Sequence, residues 1–206
     1  MIGILLLALA QHAVISARAG MVTYTEGVVN VRAGEHAVHA EINQHVGEGN
    51  ALATGPSGRA EIMLTPDSYL RVLPYTGVRL ESEQLDRIVL RLTAGAAIAD
   101  IDGLDHDLPI RVHLNGIEIA IRKDGIYLFE PDRVAVIDGE LAIGRPTSGE
   151  EQRLRKGRSL VRMGDSFSEV PTGTDIGEHS LVRWNEQRSD DLTPSRRGRQ
   201  PRGFRF

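Results

Sequence analysis

The chain has 206 residues, 41% apolar and 25% charged, enough for one sizeable core and too few for several domains. It contains no cysteine, which excludes a disulfide framework, a thiolate nucleophile and a cysteine zinc site. Its formal net charge is −4; setting aside Arg18 and the five arginines of residues 193–206 leaves residues 20–192 at −10. An acidic body with a basic end speaks against a nucleic-acid-binding domain.

The chain opens on "MIGILLLALAQHAVISARAG", an apolar run over residues 2–10 followed by the small-x-small triplet Ala17-Arg18-Ala19. That order is the shape of a secretory signal peptide over residues 1–19, with cleavage before Gly20 and export to the periplasm or beyond. No Lys or Arg precedes the run, so an uncleaved anchor is the competing reading. The run falls short of the ~20 apolar residues that a membrane helix needs.

From residue 22 to about 161 the apolar positions alternate with polar ones, in runs of about five that stop at Gly, Pro, Asn or Asp. Val29 and Val31 alternate with Val28, Asn30 and Arg32; Ala60, Ile62 and Leu64 oppose Glu61 and Thr65; Leu70 and Val72 flank Arg71. Thr76, Val78 and Leu80 alternate with Arg79 and Glu81, and Ile88, Leu90 and Leu92 oppose Arg91. One face buried and one face wet is the pattern of an all-β, antiparallel sandwich.

"IRVHLNGIEIAI" carries the sharpest local signal. Asn115-Gly116 suits a two-residue type I′ turn, which sets Leu114 against Ile117, Val112 against Ile119 and Ile110 against Ile121, with His113 opposite Glu118. "VAVIDGELAI" invites the same reading at Asp138-Gly139, pairing Val136 with Leu141 and Val134 with Ile143, and "RKDGIYLFE" a third at Asp124-Gly125. Residues 144–153 read as a loop and "LRKGRSLVRM" as one closing strand around Gly157. After residue 175 the period changes. Leu181, Trp184, Arg188 and Leu192 recur at helical spacing, predicting a short amphipathic helix within residues 175–192, clearest from about 178 and stopped by Pro194. Trp184, the sole tryptophan, and Arg188 are candidates for a partner contact, although packing on the sandwich is the simpler role. Residues 193–206 read as a disordered basic tail.

The stretch "VGEGNALATGPSGRAEIMLTPDSYLRVLPYTGVRL" resembles the core of the FecR-like domain family, named for a periplasmic regulator of ferric-citrate uptake. The matching positions are Gly49, Leu52, Thr54-Gly55, Ser57, "RAEIML" and "PDSYLRV"; Pro66-Asp67-Ser68 stands where the family favours Asp-Gly-Ser. "EGVVNV", "LRLTAGAAIADI", "RKDGIYLFEPDRVAVIDGELAI" and "LRKGRSL" resemble the flanking strands, so the resemblance spans roughly residues 21–163. It implies a jelly-roll-like β sandwich that works in sensing or regulation. The motif residues themselves are turn formers, which makes them a folding signature rather than a catalytic one.

No catalytic constellation is visible. "GPSGR" lacks the second glycine of a nucleophile elbow, and "GEGNAL" lacks the third glycine of a dinucleotide loop. "DIDGLDHDL" offers Asp100, Asp102, Asp105 and Asp107 as oxygen ligands for Ca²⁺, but its glycine and missing closing Glu do not fit an EF-hand loop. His36, His39 and Glu41 form a second weak cluster, favoured as surface loop. No cofactor is expected. The expectation is therefore a non-catalytic exported module with an unknown protein partner in the cell envelope, docking along an edge strand. Membrane contact is expected at most through residues 1–19 or the basic tail, and nucleic acid is not expected as a partner. A structural or glycan-binding module of the envelope is the alternative, and a metal-dependent enzyme built on the aspartate loop the third reading.

Overall fold

A computed structural model describes residues 18–144, 151–164 and 166–192. Most of the expected leader, and all of the basic tail, therefore lie outside the described residues. Among the described residues no helix is long and apolar enough to cross a membrane.

The chain shuttles between two layers. Sheet I receives β1 (Met21–Glu26), and sheet II then takes β2 (Val29–Ala33), β3 (His36–His39) and β4 (Ala51–Thr54). β5 (Arg59–Thr65) and β6 (Ser68–Val72) return to sheet I, β7 (Gly77–Gln84) and β8 (Arg87–Ala94) to sheet II, and β9 (Ala97–Ile101) to sheet I. β10 (Ile110–Leu114) and β11 (Ile117–Ile121) lie in sheet II, β12 (Gly125–Glu130) and β13 (Arg133–Asp138) in sheet I. β14 (Glu140–Gly144) and β15 (Glu151–Arg155) close sheet II, and β16 (Arg158–Met163) and β17 (Ser166–Pro171) close sheet I. A 3-10 turn over Thr174–Glu178 leads into α1 (Ser180–Leu192), which bears out the short C-terminal helix.

In space sheet I runs β1-β5-β6-β9-β12-β13-β16-β17, and sheet II runs β15-β14-β11-β10-β8-β7-β4-β2-β3. Each new strand or hairpin lands beside its predecessor, so both layers grow from the same end. The all-β sandwich is thus observed, with antiparallel neighbours throughout but one. β10 runs parallel to β8, with Val112 opposite Leu90. The chain leaves sheet II after β8, crosses sheet I as β9 and returns, and a crossover of that kind delivers a parallel neighbour.

The Asn115-Gly116 hairpin forms in the expected register, Leu114 against Ile117, Val112 against Ile119 and Ile110 against Ile121. Both turn residues adopt positive φ, 45° and 81°. The other two Asp-Gly pairs do something else. β13 pairs with β12 and β16, and β14 with β11 and β15, so Val136 does not face Leu141 and Val134 does not face Ile143. Asp138-Gly139 and Asp124-Gly125 are corners where the chain changes layer. The buried Tyr127 hydroxyl ties them together: it donates to Lys123 O at 2.8 Å and accepts from Glu140 N–H at 3.2 Å. A β-carbon on Gly139, whose φ is +93°, would come within 2.7 Å of Asp124 O, which leaves the corner to glycine.

Two further expectations change. Residues 151–153 are strand rather than loop, and "LRKGRSLVRM" is two strands in different layers, broken at Lys156-Gly157. β17 extends sheet I beyond residue 163, the expected end of the β domain.

The inner faces meet in one apolar core that draws on both layers, with Leu52, Leu64, Leu70, Leu90, Ile119 and Phe129 among its buried members. Full burial of each such side chain contributes roughly 1.5–3 kcal/mol. The outer face of sheet I departs from the wet face that alternation predicts. β9, β12 and β13 are near-continuous apolar runs because Ile98, Ile126, Leu128, Ala135 and Ile137 are roofed by Ile176, Leu181, Val182 and Trp184. Strands covered on both faces lose their alternation.

Candidate functional site

Two surfaces are candidates for function, the α1-covered face of sheet I and the outer strand of sheet II. The first begins with charges that alternation assigns to solvent. Glu61 and Arg71, on adjacent strands β5 and β6, are fully buried, and Asp100 on β9 is nearly so. Arg71 Nε donates to Glu61 Oε2 at 2.7 Å, and its Nη1 donates to Asp100 Oδ2 at 3.1 Å. Two carboxylates against one guanidinium leave this face one negative charge in excess.

Helix α1 supplies the balance. Arg188 Nη2 donates to Glu61 Oε1 at 3.0 Å, Ser189 Oγ to Asp100 Oδ2 at 2.6 Å, and Arg71 Nη1 also donates to Asn185 Oδ1. Leu181, Trp184, Asn185, Arg188 and Ser189 share one stripe because positions three and four apart lie on one side of a helix. The Trp184 ring sits 5.7 Å from that of Tyr24, and Arg188 lies 4.7 Å over the Tyr24 ring. His179 enters the helix as its cap: Nδ1 accepts the Leu181 N–H, and Nε2 is 3.2 Å from Glu130 Oε1. Both Trp184 and Arg188, the candidates for a partner contact, are therefore committed to contacts within the chain.

Burial would raise the Glu61 carboxyl, but the Arg71 guanidinium, with hydrogen bonds from Arg188 and Thr23, outweighs it and holds the group below its ordinary value. A carboxylate depressed in the folded state contributes stability that is complete above its unfolded pKa and is lost as pH falls. Melting temperature should accordingly fall as pH drops below about 4.3, and Glu61→Gln should make that slope shallower. A pH series of thermal melts on both chains checks this.

The second surface is β3, the last strand of sheet II. It is joined to β2 by the two-residue turn Gly34-Glu35 and, among the described residues, pairs with β2 alone, Val31 opposite Val38 and Ala33 opposite His36. All four of its residues are exposed. In this hairpin register the N–H and C=O of His36 and Val38 point into the ladder, while those of Ala37 and His39 point outward. The other three sheet ends are blunted. β1 is covered by the loop that follows β3, with Asn43 N donating to Val22 O at 2.8 Å and Val22 N to Gln44 O at 2.9 Å. β15 carries Glu151, Arg153 and Arg155, and β17 carries Glu169 and ends at Pro171. β3 reads His-Ala-Val-His, with no charge-bearing acid, Lys, Arg or Pro to deter a partner strand.

His36 and His39 are thus strand residues rather than surface loop, and lie on opposite faces, which rules out shared ligation within this chain. The four aspartates disperse: Asp100 is bound into the buried network, the Asp102 N–H donates to Ser68 Oγ at 3.1 Å, and Asp105 Oδ1 accepts the Asp107 N–H. Among the described residues no three acidic or histidine side chains are grouped to hold a metal ion. The turn residues take folding roles. Thr54 Oγ1 donates to Leu73 O at 2.6 Å and accepts from Thr76 N at 2.8 Å, locking the Gly55-Pro56-Ser57 turn to the strand beyond. Gly49 N bonds to Leu80 O, Asp67 forms the β5–β6 turn at φ 74°, and buried Ser68 joins it to the β9 end. Asp138 meets Lys156 at 3.3 Å beside Gly157. Gly125 and Gly139 occupy the layer-changing corners. At the amino end, Arg18 pairs with Glu83 at 2.6 Å and Ala19 is fully buried, so cleavage before Gly20 would remove both from the body.

The fold is similar to two crystal structures of a candidate anti-sigma factor from Parabacteroides distasonis ATCC 8503. One, at 2.50 Å resolution, is 14% identical, with a TM-score of 0.50 over 69% of this chain and 72% of that one. The other, at 1.65 Å, is 12% identical, with a TM-score of 0.50 over 75% and 79%. At such identity the likeness is one of fold. No family model matches the sequence, and no curated protein matches it.

Proposed function

We propose that this chain is an exported recognition module of the FecR-like kind, which acts by binding another envelope protein and not by catalysis. The observation that carries the reading is the β3 edge, an exposed strand with two outward-facing peptide units and none of the devices that deter pairing. A partner strand would add to sheet II beyond β3, taking its affinity from main-chain hydrogen bonds and its specificity from contacts with Val38 and the flanking histidines. The likeness to candidate anti-sigma factors and the leader-like amino terminus support a regulatory setting in the periplasm.

The test is Ala37→Pro, which removes an outward N–H without breaking the β2 ladder. Capture of an envelope protein by the wild-type chain, reduced about fivefold by this substitution at unchanged melting temperature, is expected, since one main-chain bond of about 1 kcal/mol is lost. Equal capture by both chains would refute docking at β3.

A further inference from the structure

At the opposite end of sheet II from β3, beside β14 and β15, lies a cleft of about 270 Å³. Its floor is the outer face at Ala142, and its walls carry Arg122, Lys123, Glu140, Glu151 and Arg153, with His106 at the rim. The charges do not balance. Arg122 is held by Glu151 through two bonds of 3.2 and 3.0 Å. Three cations share the remaining carboxylate, Glu140: Arg155 at 3.2 Å, Lys123 at 3.6 Å and Arg153 at 3.9 Å. Among the described residues two positive charges are left over, on a body that carries −10 over residues 20–192.

The geometry of the pairing adds to the count. Among the described residues, the side chain of Arg155 alone reaches the Glu140 carboxylate as a hydrogen bond. Lys123 and Arg153 stand beyond that range, so their N–H groups are drawn toward the cleft by charge and make no hydrogen bond among the described residues. Burial would raise the Glu140 carboxyl, but Arg155, Lys123 and Arg153 together hold it low, so it stays ionised and keeps the cations gathered. Small side chains below and surplus donors above make a concave seat for a compact anion. Its volume is close to the lower end of small-ligand sites, about 300 Å³. A flat basic patch would instead suit an extended polyanion.

We infer that this cleft binds a small oxyanion of multiple charge, either a polycarboxylate or a phosphate compound, through Lys123 and Arg153, while Arg155 holds Glu140 from outside the cleft. The ligand's oxygens occupy the donors that Glu140 leaves free, and Glu140 competes with it for the same cations. This competition makes an unusual demand: removing the acid must strengthen binding of an acid.

The experiment is a titration of the ¹⁵N-labelled full chain with inorganic pyrophosphate and, separately, with propane-1,2,3-tricarboxylate, at low salt. Millimolar or tighter binding of one probe is expected, with shifts centred on the amides of Lys123, Glu140, Ala142 and Arg153; which probe binds tells the two sources apart. Glu140→Gln should tighten binding about fivefold and Arg153→Ala weaken it about as much, the effect of one charge at close range in partly wet surroundings. No binding by either probe, shifts confined to the basic tail, or weaker binding by Glu140→Gln would each overturn the assignment. Folding of the variants is read from the same spectra, and Lys123→Ala replaces any that fails to fold.

Discussion

Replacing Arg71 by alanine should destabilise the protein by about 3–5 kcal/mol, because it strands Glu61 and Asp100 under a helix with one cation between them. Arg71 is fully buried on a strand of sheet I, so its loss leaves two carboxylates without the cation that pairs them. The cost is set by what remains rather than by what is removed. The double variant Arg71→Ala/Glu61→Ala should therefore lose less than the sum of its single changes, with a coupling of roughly 0.5–3 kcal/mol. Urea unfolding of the four chains measures it. Additive losses would mean that the two groups act independently, against the 2.7 Å bond between them.

Trp184→Ala should cost about 3–5 kcal/mol, the range for removing a buried large aromatic side chain. Trp184 is 6% exposed and is the largest side chain that α1 lays on sheet I. It packs against the apolar outer face of sheet I, beside Tyr24 and with the Arg59 guanidinium 5.9 Å from its ring. Removing it opens a void over Ile98 and its neighbours and exposes the charged network to water. Thermal and urea unfolding should show the loss directly. A cost below about 1 kcal/mol would mean that α1 rests loosely on the sheet, as a surface substitution does. Both predictions concern the same structural statement: α1 completes the fold of sheet I, in apolar area and in charge.

Much of the architecture was legible in local patterns. Asn115-Gly116 announced its hairpin because a two-residue turn and five alternating pairs are set by neighbours in sequence. The three Asp-Gly and Asn-Gly pairs look alike, yet two of them turn the chain between layers. That choice is made by Tyr127, whose hydroxyl bridges both corners, and no local rule reports it. Glu61 and Arg71 were read as solvent-facing because their strands alternate. Their cover arrives from Asn185, 114 residues after Arg71, and from Arg188, 127 after Glu61. The break in alternation at "AIADI", "GIYLFE" and "RVAVID" was the one signal that the outer face is covered. β3 escaped for a different reason: four residues with two histidines fit a loop as well as a strand. The cationic cleft joins residues of β14 and β15 to the end of β11, a juxtaposition made by sheet order alone.

Residue-resolved amide hydrogen exchange on the free chain tests the open edge most directly. The amides of Ala37 and His39 should exchange at near-unprotected rates, while that of Val38, bonded into the β2 ladder, is slowed at least tenfold, about 1.4 kcal/mol of local protection. Slow exchange at all three positions would show that something already covers β3, and the edge would not be free to receive a partner.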